Sequence, residues 1–166
     1  SAPGSSVFCT VEGSRPFLVE VQALAHRSNM AMPRRTTLGL DPNRIHLLLA
    51  IMDKHLGLDL YAHDVFVNVV GGIKVQEPAI DLAVAASLLS SLKNVAIPKS
   101  FCFFGELGLT GEVRGVSLAE IRYKEALKLG FERFFVPAKN KKHFPSQDKS
   151  FTLLENIEDL TTNLFE

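Results

Sequence analysis

The sequence predicts an α/β fold, a mixed sheet with packed helices, and three observations carry that prediction. Two β-rich stretches, 7–11 and 17–25, flank Glu12-Gly13-Ser14-Arg15-Pro16, whose composition is that of a turn, so the chain opens as a hairpin. Residues 78–92 read as a helix with almost no polar face, which is stable only when buried on all sides. Beyond it strand and helix signals alternate, the pattern of strands joined through helices.

In chain order, Ser1-Ala2-Pro3-Gly4-Ser5-Ser6 is small and turn-rich and reads as a linker, with the folded domain expected over 7–166 as part of a longer protein. After the hairpin come a polar loop at 26–33 and a third strand at 34–40. The first helix has clear punctuation. Asp41 serves as N-cap, Pro42 opens the first turn, and Ile45, Leu48, Leu49, Met52 and Leu56 follow at helical spacing before Gly57 stops it. A strand at 64–70 ends at Gly71-Gly72, and Pro78 begins the apolar helix. Strands at 101–104 and 112–116 flank a glycine-rich connection, and a helix at 117–129 stops at Gly130. Phe134 to Val136 form a short strand, Leu153 and Leu154 another. A last helix begins at Asn156, with Glu158 and Asp159 placed well for its dipole. The sequence has no internal repeat.

A 46% hydrophobic content against 22% charged residues excludes disorder over most of the chain. Eighteen basic and eighteen acidic residues cancel, so any grip on nucleic acid or anionic membrane has to come from a local patch. Cys9 and Cys102 lack zinc-ligand spacing and read as buried reduced thiols, or as a disulfide or reactive site. Reduced thiols point to a cytoplasmic protein. The five histidines form no metal set, and no apolar run approaches the ~20 residues of a membrane span.

Two segments concentrate the chemistry. Residues 70–81, from Val70-Gly71-Gly72 to Pro78-Ala79-Ile80-Asp81, form a strand-to-helix corner where a nucleophile or an anion would meet unpaired backbone N–H groups. Ala79 offers no nucleophile there. Residues 105–116 carry Gly105, Gly108, Gly111 and Gly115 but no Lys-Ser or Lys-Thr after them, so they read as turn glycines and not as a phosphate loop.

Nearly the whole chain resembles the C-terminal, Lon-protease-like domains of the RadA-type (Sms) bacterial DNA repair proteins. The resemblance rests on ordered stretches: Pro3-Gly4-Ser5-Ser6-Val7, residues 12–24 from Glu12-Gly13-Ser14-Arg15-Pro16 to Ala23-Leu24, Pro33-Arg34-Arg35, Gly39-Leu40-Asp41-Pro42-Asn43-Arg44, residues 64–72, and 105–114. It implies a Lon protease proteolytic-domain-like fold (ribosomal protein S5 domain 2-like). Matched to an active Lon protease, Ala79 stands at the serine position and Glu120 at the lysine position. A serine–lysine dyad needs a neutral lysine to take the hydroxyl proton, and here both partners are missing. The resemblance therefore implies a domain without peptidase activity.

Glu120 also completes Ser117-Leu118-Ala119-Glu120, the pattern of a capping box, and Glu77 and Asp81 suit a helix dipole. The competing reading is a catalytic carboxylate set of Glu77, Asp81 and Glu120. The resemblance further implies a hexameric ring in an ATP-driven DNA repair and branch-migration protein. ATP, magnesium and zinc are expected only in upstream segments, no cofactor in this domain, and a recombinase as a partner.

Arg34, Arg35, Lys74 and Arg114 are candidate phosphate contacts, as is the run at 139–143, each weighed against a plain solvated surface. Arg44 sits in a first helical turn, unfavourable for a cation, so it needs a specific partner, expected across a subunit interface. Two other functions stay open: an active peptidase with an unrecognised catalytic set, and the Lon-like front domain of competence or magnesium-chelatase-type ATPases, which shares Gly105-Glu106-Leu107.

Overall fold

The computed structural model describes residues 2–145 and 148–165. Ser1, the first residue of the expected linker, and Ser146, Gln147 and Glu166 of the expected domain lie outside the described residues. Strands β1 (Ser5–Glu12) and β2 (Arg15–Arg27) form an antiparallel hairpin in the register Glu12↔Arg15 to Ser5↔Gln22. The two-residue turn between them needs a left-handed first residue, and Gly13 supplies it with φ 63°. The expected linker is drawn into the fold from Gly4 onward. The Gly4 N–H donates to Ser90 Oγ at 2.8 Å, and Ser5 and Ser6 already belong to β1.

Next come β3 (Arg35–Leu38), α1 (Pro42–Leu56), β4 (His63–Val69), α2 (Asp81–Lys93), β5 (Phe101–Phe103), β6 (Glu106–Leu107) and β7 (Val113–Arg114). The chain closes with α3 (Ala119–Lys128), β8 (Arg133–Pro137), β9 (Phe151–Leu154) and α4 (Ile157–Leu164). Seven strands form one mixed sheet in the order β3-β4-β2-β1-β5-β8-β9, and β6 with β7 forms a separate small ribbon. Four of the six pairings in the large sheet are parallel; β1–β2 and β2–β4 are antiparallel. The strand expected at 112–116 is only the two residues of β7.

Alternation along the strands sets the layers. Val19, Val21, Ala23 and Ala25 of β2 and Val65, Val67 and Val69 of β4 are buried, and α2 packs against β1 and β2. Every residue of α2 from Asp81 to Ser90 is buried, as its apolar pattern requires. Helix and sheet are bonded from both sides: Ser87 Oγ of α2 donates to Val21 O at 2.8 Å, and Ser6 Oγ of β1 donates to Ala83 O at 2.8 Å. On the opposite face Tyr123 of α3 meets Phe134, Phe144 and Phe151 edge-on. The β2–β4–β3 half of that face is uncovered, a groove of about 790 Å³ bordered by Val7, Leu24, Leu38 and Phe66.

Helix α1 shows local chemistry acting as expected. Asp41 accepts from Asn43 N at 2.9 Å, and Gly57 takes the left-handed C-terminal position at φ 64°. Cys9 and Cys102 are buried free thiols, and burial pushes Cys9 up to about 12. Among the described residues no helix is long and apolar enough to cross a membrane.

Candidate functional site

The two corners singled out in the sequence are fastened to each other. After β4 an irregular connection at 73–77 ends in an extended Glu77, Pro78 opens a 3-10 turn, and Asp81 starts α2. Gly105 N donates to Ala79 O at 2.8 Å, and Leu82 N donates to Gly105 O at 3.0 Å. A side chain at Gly105 would place its Cβ 3.2 Å from Val113 Cγ1 and 3.4 Å from Leu82 Cδ2, so glycine permits this approach. Asp81 then pins the ribbon: its Oδ2 accepts from Leu107 N at 2.9 Å. Arg44 Nε donates to Asp81 Oδ1 at 2.9 Å, Arg44 Nη2 donates to Asp81 Oδ2, and Nη2 also donates to Leu107 O at 3.2 Å.

Asp81 is wholly buried and Arg44 largely so, so the pair is part of the core. Burial raises the Asp81 carboxyl, while the Arg44 and Leu107 donors work against that rise; the bond to Asp81 holds Arg44 above its ordinary value. This corrects the expectation for Arg44, whose partner is in its own chain.

Glu77, the residue before Pro78, is held by the other side of the fold. Its Oε2 accepts from Thr10 Oγ1 at 2.7 Å, Val11 N at 2.9 Å and Arg122 Nη1 at 3.1 Å, and its Oε1 from Arg122 Nη2 at 2.6 Å. Arg122 also donates to Cys9 O at 2.9 Å and, through Nε, to Ser117 O at 3.0 Å. Burial works to raise Glu77, but these donors outweigh it and hold the carboxyl below its usual range. Glu77 and Asp81 are thus spent on long-range bonds within the chain and neither caps α2, although Asp81 stands in the first turn of α2, where the expected dipole role places it.

The sequence reading missed Arg122. Its signal was present: Ala119, Arg122, Tyr123 and Ala126 are the buried residues of α3, at i, i+3, i+4 and i+7. An arginine on such a stripe needs a buried acceptor.

The degenerate dyad positions have separate fates. Ala79 is buried, and Glu120 lies on the exposed face of α3, where Lys124 Nζ donates to it at 3.1 Å. The capping box does not form. Leu118 precedes α3 in the left-handed region at φ 57° with no side-chain cap. A leucine there costs roughly 1–2 kcal/mol. Leu118→Gly is therefore expected to stabilise the fold by about 0.5–1 kcal/mol after the entropy cost of glycine. A lower urea midpoint for that variant would contradict the assignment.

The basic candidates do not gather into one patch. Arg34 donates through N and Nη2 to Asp64 at 2.7 and 3.0 Å, and lies 5.6 Å over the Phe66 ring, with half of its side chain exposed. Arg35 is committed to the backbone: Nη1 donates to His63 O and Nη2 to Leu60 O at 2.9 Å. It is a clamp on the start of β4. Arg114 pairs with Glu112 at 3.1 Å and Glu106 at 3.7 Å. Lys74 is exposed and has no acidic partner among the described residues. In the run at 139–143, Asn140 is buried and bonds both Val116 N and Val116 O, while Lys141, Lys142 and His143 are exposed.

Asp64 couples this region to pH. The Arg34 backbone N–H, followed by its guanidinium, lowers the carboxyl to about 2. A depressed carboxylate contributes stability that is full above its unfolded value near pH 4 and lost as pH falls toward 2. Glu112, lowered to about 2 first by the Thr110 hydroxyl, acts in the same window. Asp64→Asn is expected to be less stable than wild type at pH 7 and to lose less between pH 4 and 2. Parallel acid-unfolding curves for the two would exclude this coupling.

In front of the fastened corners lies a cleft of about 520 Å³, bordered by Gly39, Leu40, Asp41, Arg44 and the segment 74–78. The structure brings Arg44 and Lys74 to this one cleft. Of its carboxylates, Glu77 is taken by buried Arg122 and exposed Asp41 caps α1, so the cleft is a polar recess, and Ala79 behind it supplies no hydroxyl for acyl transfer.

The profile of the family described as subunit ChlI of Mg-chelatase matches residues 21–140. A protein of Pseudomonas aeruginosa named DNA repair protein RadA is 55% identical over 140 residues, covering 84% of this chain and 31% of that protein. The Bacillus subtilis protein of that name is 50% identical over 137 residues, 82% of this chain and 30% of its own length. That of Rickettsia bellii is 51% identical over 128 residues, 77% and 29%. The chain thus spans about a third of the length of these relatives.

Proposed function

The chain belongs to the family described as subunit ChlI of Mg-chelatase, and we propose that it is the non-proteolytic, Lon-protease-like domain of a RadA-type DNA repair ATPase. Identity of about one half with proteins named DNA repair protein RadA, over most of the chain, supports the repair setting. The observation that carries the non-proteolytic role is the fastening of the two corners around Ala79, with Glu77 and Asp81 consumed by Arg122 and Arg44. An internal architecture this committed serves as a scaffold. We assign it to ring assembly, with ATP, magnesium and zinc handled by other segments of a cytoplasmic parent protein, a recombinase as its partner, and branch migration as the parent activity.

DNA contact falls to the exposed cations Lys74 and Lys141–Lys142 and to the half-exposed Arg34 and Arg114, with Arg35 taken up by internal bonds. The experiment is duplex binding by the purified chain across a salt series, with a denatured-protein hydrolysis assay and light scattering alongside. Lys74→Ala is expected to weaken binding and reduce the log–log salt slope by about 1. Hydrolysis by the unaltered protein that is abolished by changes at Glu77, Asp81 or Glu120 in variants that keep the native fold would establish the peptidase alternative instead. A strict monomer at high concentration would count against ring assembly. The profile match favours the neighbouring reading, a Lon-like front domain of a magnesium-chelatase-type ATPase; the relatives' names favour the repair setting.

A further inference from the structure

We propose that Leu109 is the knob of a head-to-tail contact between copies of this chain, received by the open groove on the sheet face of the next copy. The contact rests on the ring-assembly reading and names the surfaces that carry it. An exposed leucine alone is ordinary. This one, 68% exposed, sits on a turn fastened to α1, to α4 and to itself. His55 Nε2 donates to Leu109 O at 3.1 Å, Gly108 N donates to Glu112 O at 2.9 Å, and Thr110 donates through N and Oγ1 to Glu112 Oε1 at 3.1 and 2.5 Å. Ile157 N donates to Gly111 O at 2.8 Å, and a Cβ on Gly111, at φ 82°, would stand 3.0 Å from the His55 ring. A side chain presented on so rigid a turn has little freedom left to lose on association.

The groove supplies the socket. Leu24 is 53% and Leu38 64% exposed, and the register Leu24↔Phe66↔Thr36 beside Gln22↔Asn68↔Leu38 sets them with Phe66 on adjoining rows of one face. Its volume of about 790 Å³ is in the range of sites that enclose a bound group. Knob and groove lie on opposite sides of the molecule. His55 belongs to α1, which packs with α4 and α2, and α2 covers the sheet face away from the groove. A copy therefore cannot fill its own groove, and the pairing is head-to-tail, the geometry that closes into a ring where the rotation permits. Charge supports the same partner. Glu106 and Glu112 on the ribbon, with Glu155, Glu158 and Asp159 beside it, outnumber Arg114 and Lys54, so the knob has an acidic collar. The groove is lined by one acid and one base. Glu20 is half-buried and bonded by Ser5 Oγ and Gln22 Nε2, whereas Lys99 is exposed and has no acidic partner among the described residues. Lys99 is the counter-charge that the collar meets.

Sedimentation of the purified chain from about 10 μM to about 1 mM tests the contact, with amide resonances followed over the same series. Association is expected, with shifts at 108–111 and at 22–24, 36–38 and 66–68. Leu109→Glu and Leu24→Glu, both at exposed positions, should each weaken it about tenfold or more and leave the far-UV spectrum unchanged. Mixing the two variants isolates the head-to-tail geometry: Leu109→Glu keeps its groove and Leu24→Glu its knob, so together they form a one-to-one pair and nothing longer. Failure of the mixture to pair would overturn the proposal. Association indifferent to both substitutions would overturn it too, while leaving ring assembly through other surfaces standing. A chain that stays monomeric without those shifts would remove both readings. Groove resonances that move with a single-stranded oligonucleotide and not with protein concentration would give this face to nucleic acid instead.

Discussion

Asp81→Ala is expected to destabilise the protein by about 3–5 kcal/mol, because it leaves a largely buried guanidinium without its carboxylate. Asp81 has no exposed surface, and its two oxygens take the Arg44 donors and Leu107 N. The substitution orphans all of them and removes the link between α2 and the β6–β7 ribbon. For a chain of this length the loss corresponds to a fall in Tm of about 6–20 °C. Replacing both partners, as in Asp81→Leu with Arg44→Met, is expected to cost less than Asp81→Ala alone, since no buried charge is left behind. Urea unfolding of the single and double variants decides the matter. A cost for Asp81→Ala below about 1 kcal/mol would mean that the ion pair does not hold the corners.

The second large effect is expected at Arg122. Its side chain is 1% exposed and joins β1, the 73–77 segment and the start of α3 through Cys9 O, Glu77 and Ser117 O. Arg122→Ala leaves Glu77 without its cation and two carbonyls without a donor, at a cost again of about 3–5 kcal/mol. The pH dependence identifies the cause. In wild type the Glu77 carboxyl lies below its usual range, so its contribution is full above the unfolded value and is lost as pH falls. In the variant burial is opposed only by the Thr10 and Val11 donors, the carboxyl moves upward, and protonation relieves the strain. The deficit of the variant should therefore shrink between pH 7 and pH 4. A deficit independent of pH would assign the loss to packing against the Phe8 ring, whose centroid lies 5.8 Å from Arg122 Cζ, and not to Glu77.

Where the controlling interaction was local, the sequence was legible. The Asp41 cap, the Pro42 start and the Gly57 stop of α1 involve neighbours within a few residues, and each stands where its residue type places it. The burial of α2 was readable because a helix with no polar face has only one stable environment. The start of α3 was not. Ser117-Leu118-Ala119-Glu120 has the letters of a capping box, yet Ser117 O is taken by Arg122 and Val116 by Asn140, and the chain turns through a left-handed Leu118. Glu120 then faces Lys124 on the surface. At Asn156 a capping box does form: Asn156 Oδ1 accepts from Asp159 N at 3.1 Å, and Asp159 accepts from Asn156 N at 3.2 Å.

For the candidate site, residue identity alone determined that Ala79 supplies no nucleophile and that no Lys-Ser or Lys-Thr follows the glycines of the second corner. It also marked Arg44 as a charge in need of a partner and placed Glu77 and Asp81 at a helix start. Which partners they take was decided by tertiary structure: Arg44 lies 37 residues from Asp81, and Glu77 lies 45 from Arg122. A charge pairs with whatever the sheet and helices carry beside it, and burial makes that choice energetically large. Sequence spacing carries no record of such distances. The types of group in the corners were therefore written in the chain, while their commitment to holding the corners together depended on the fold.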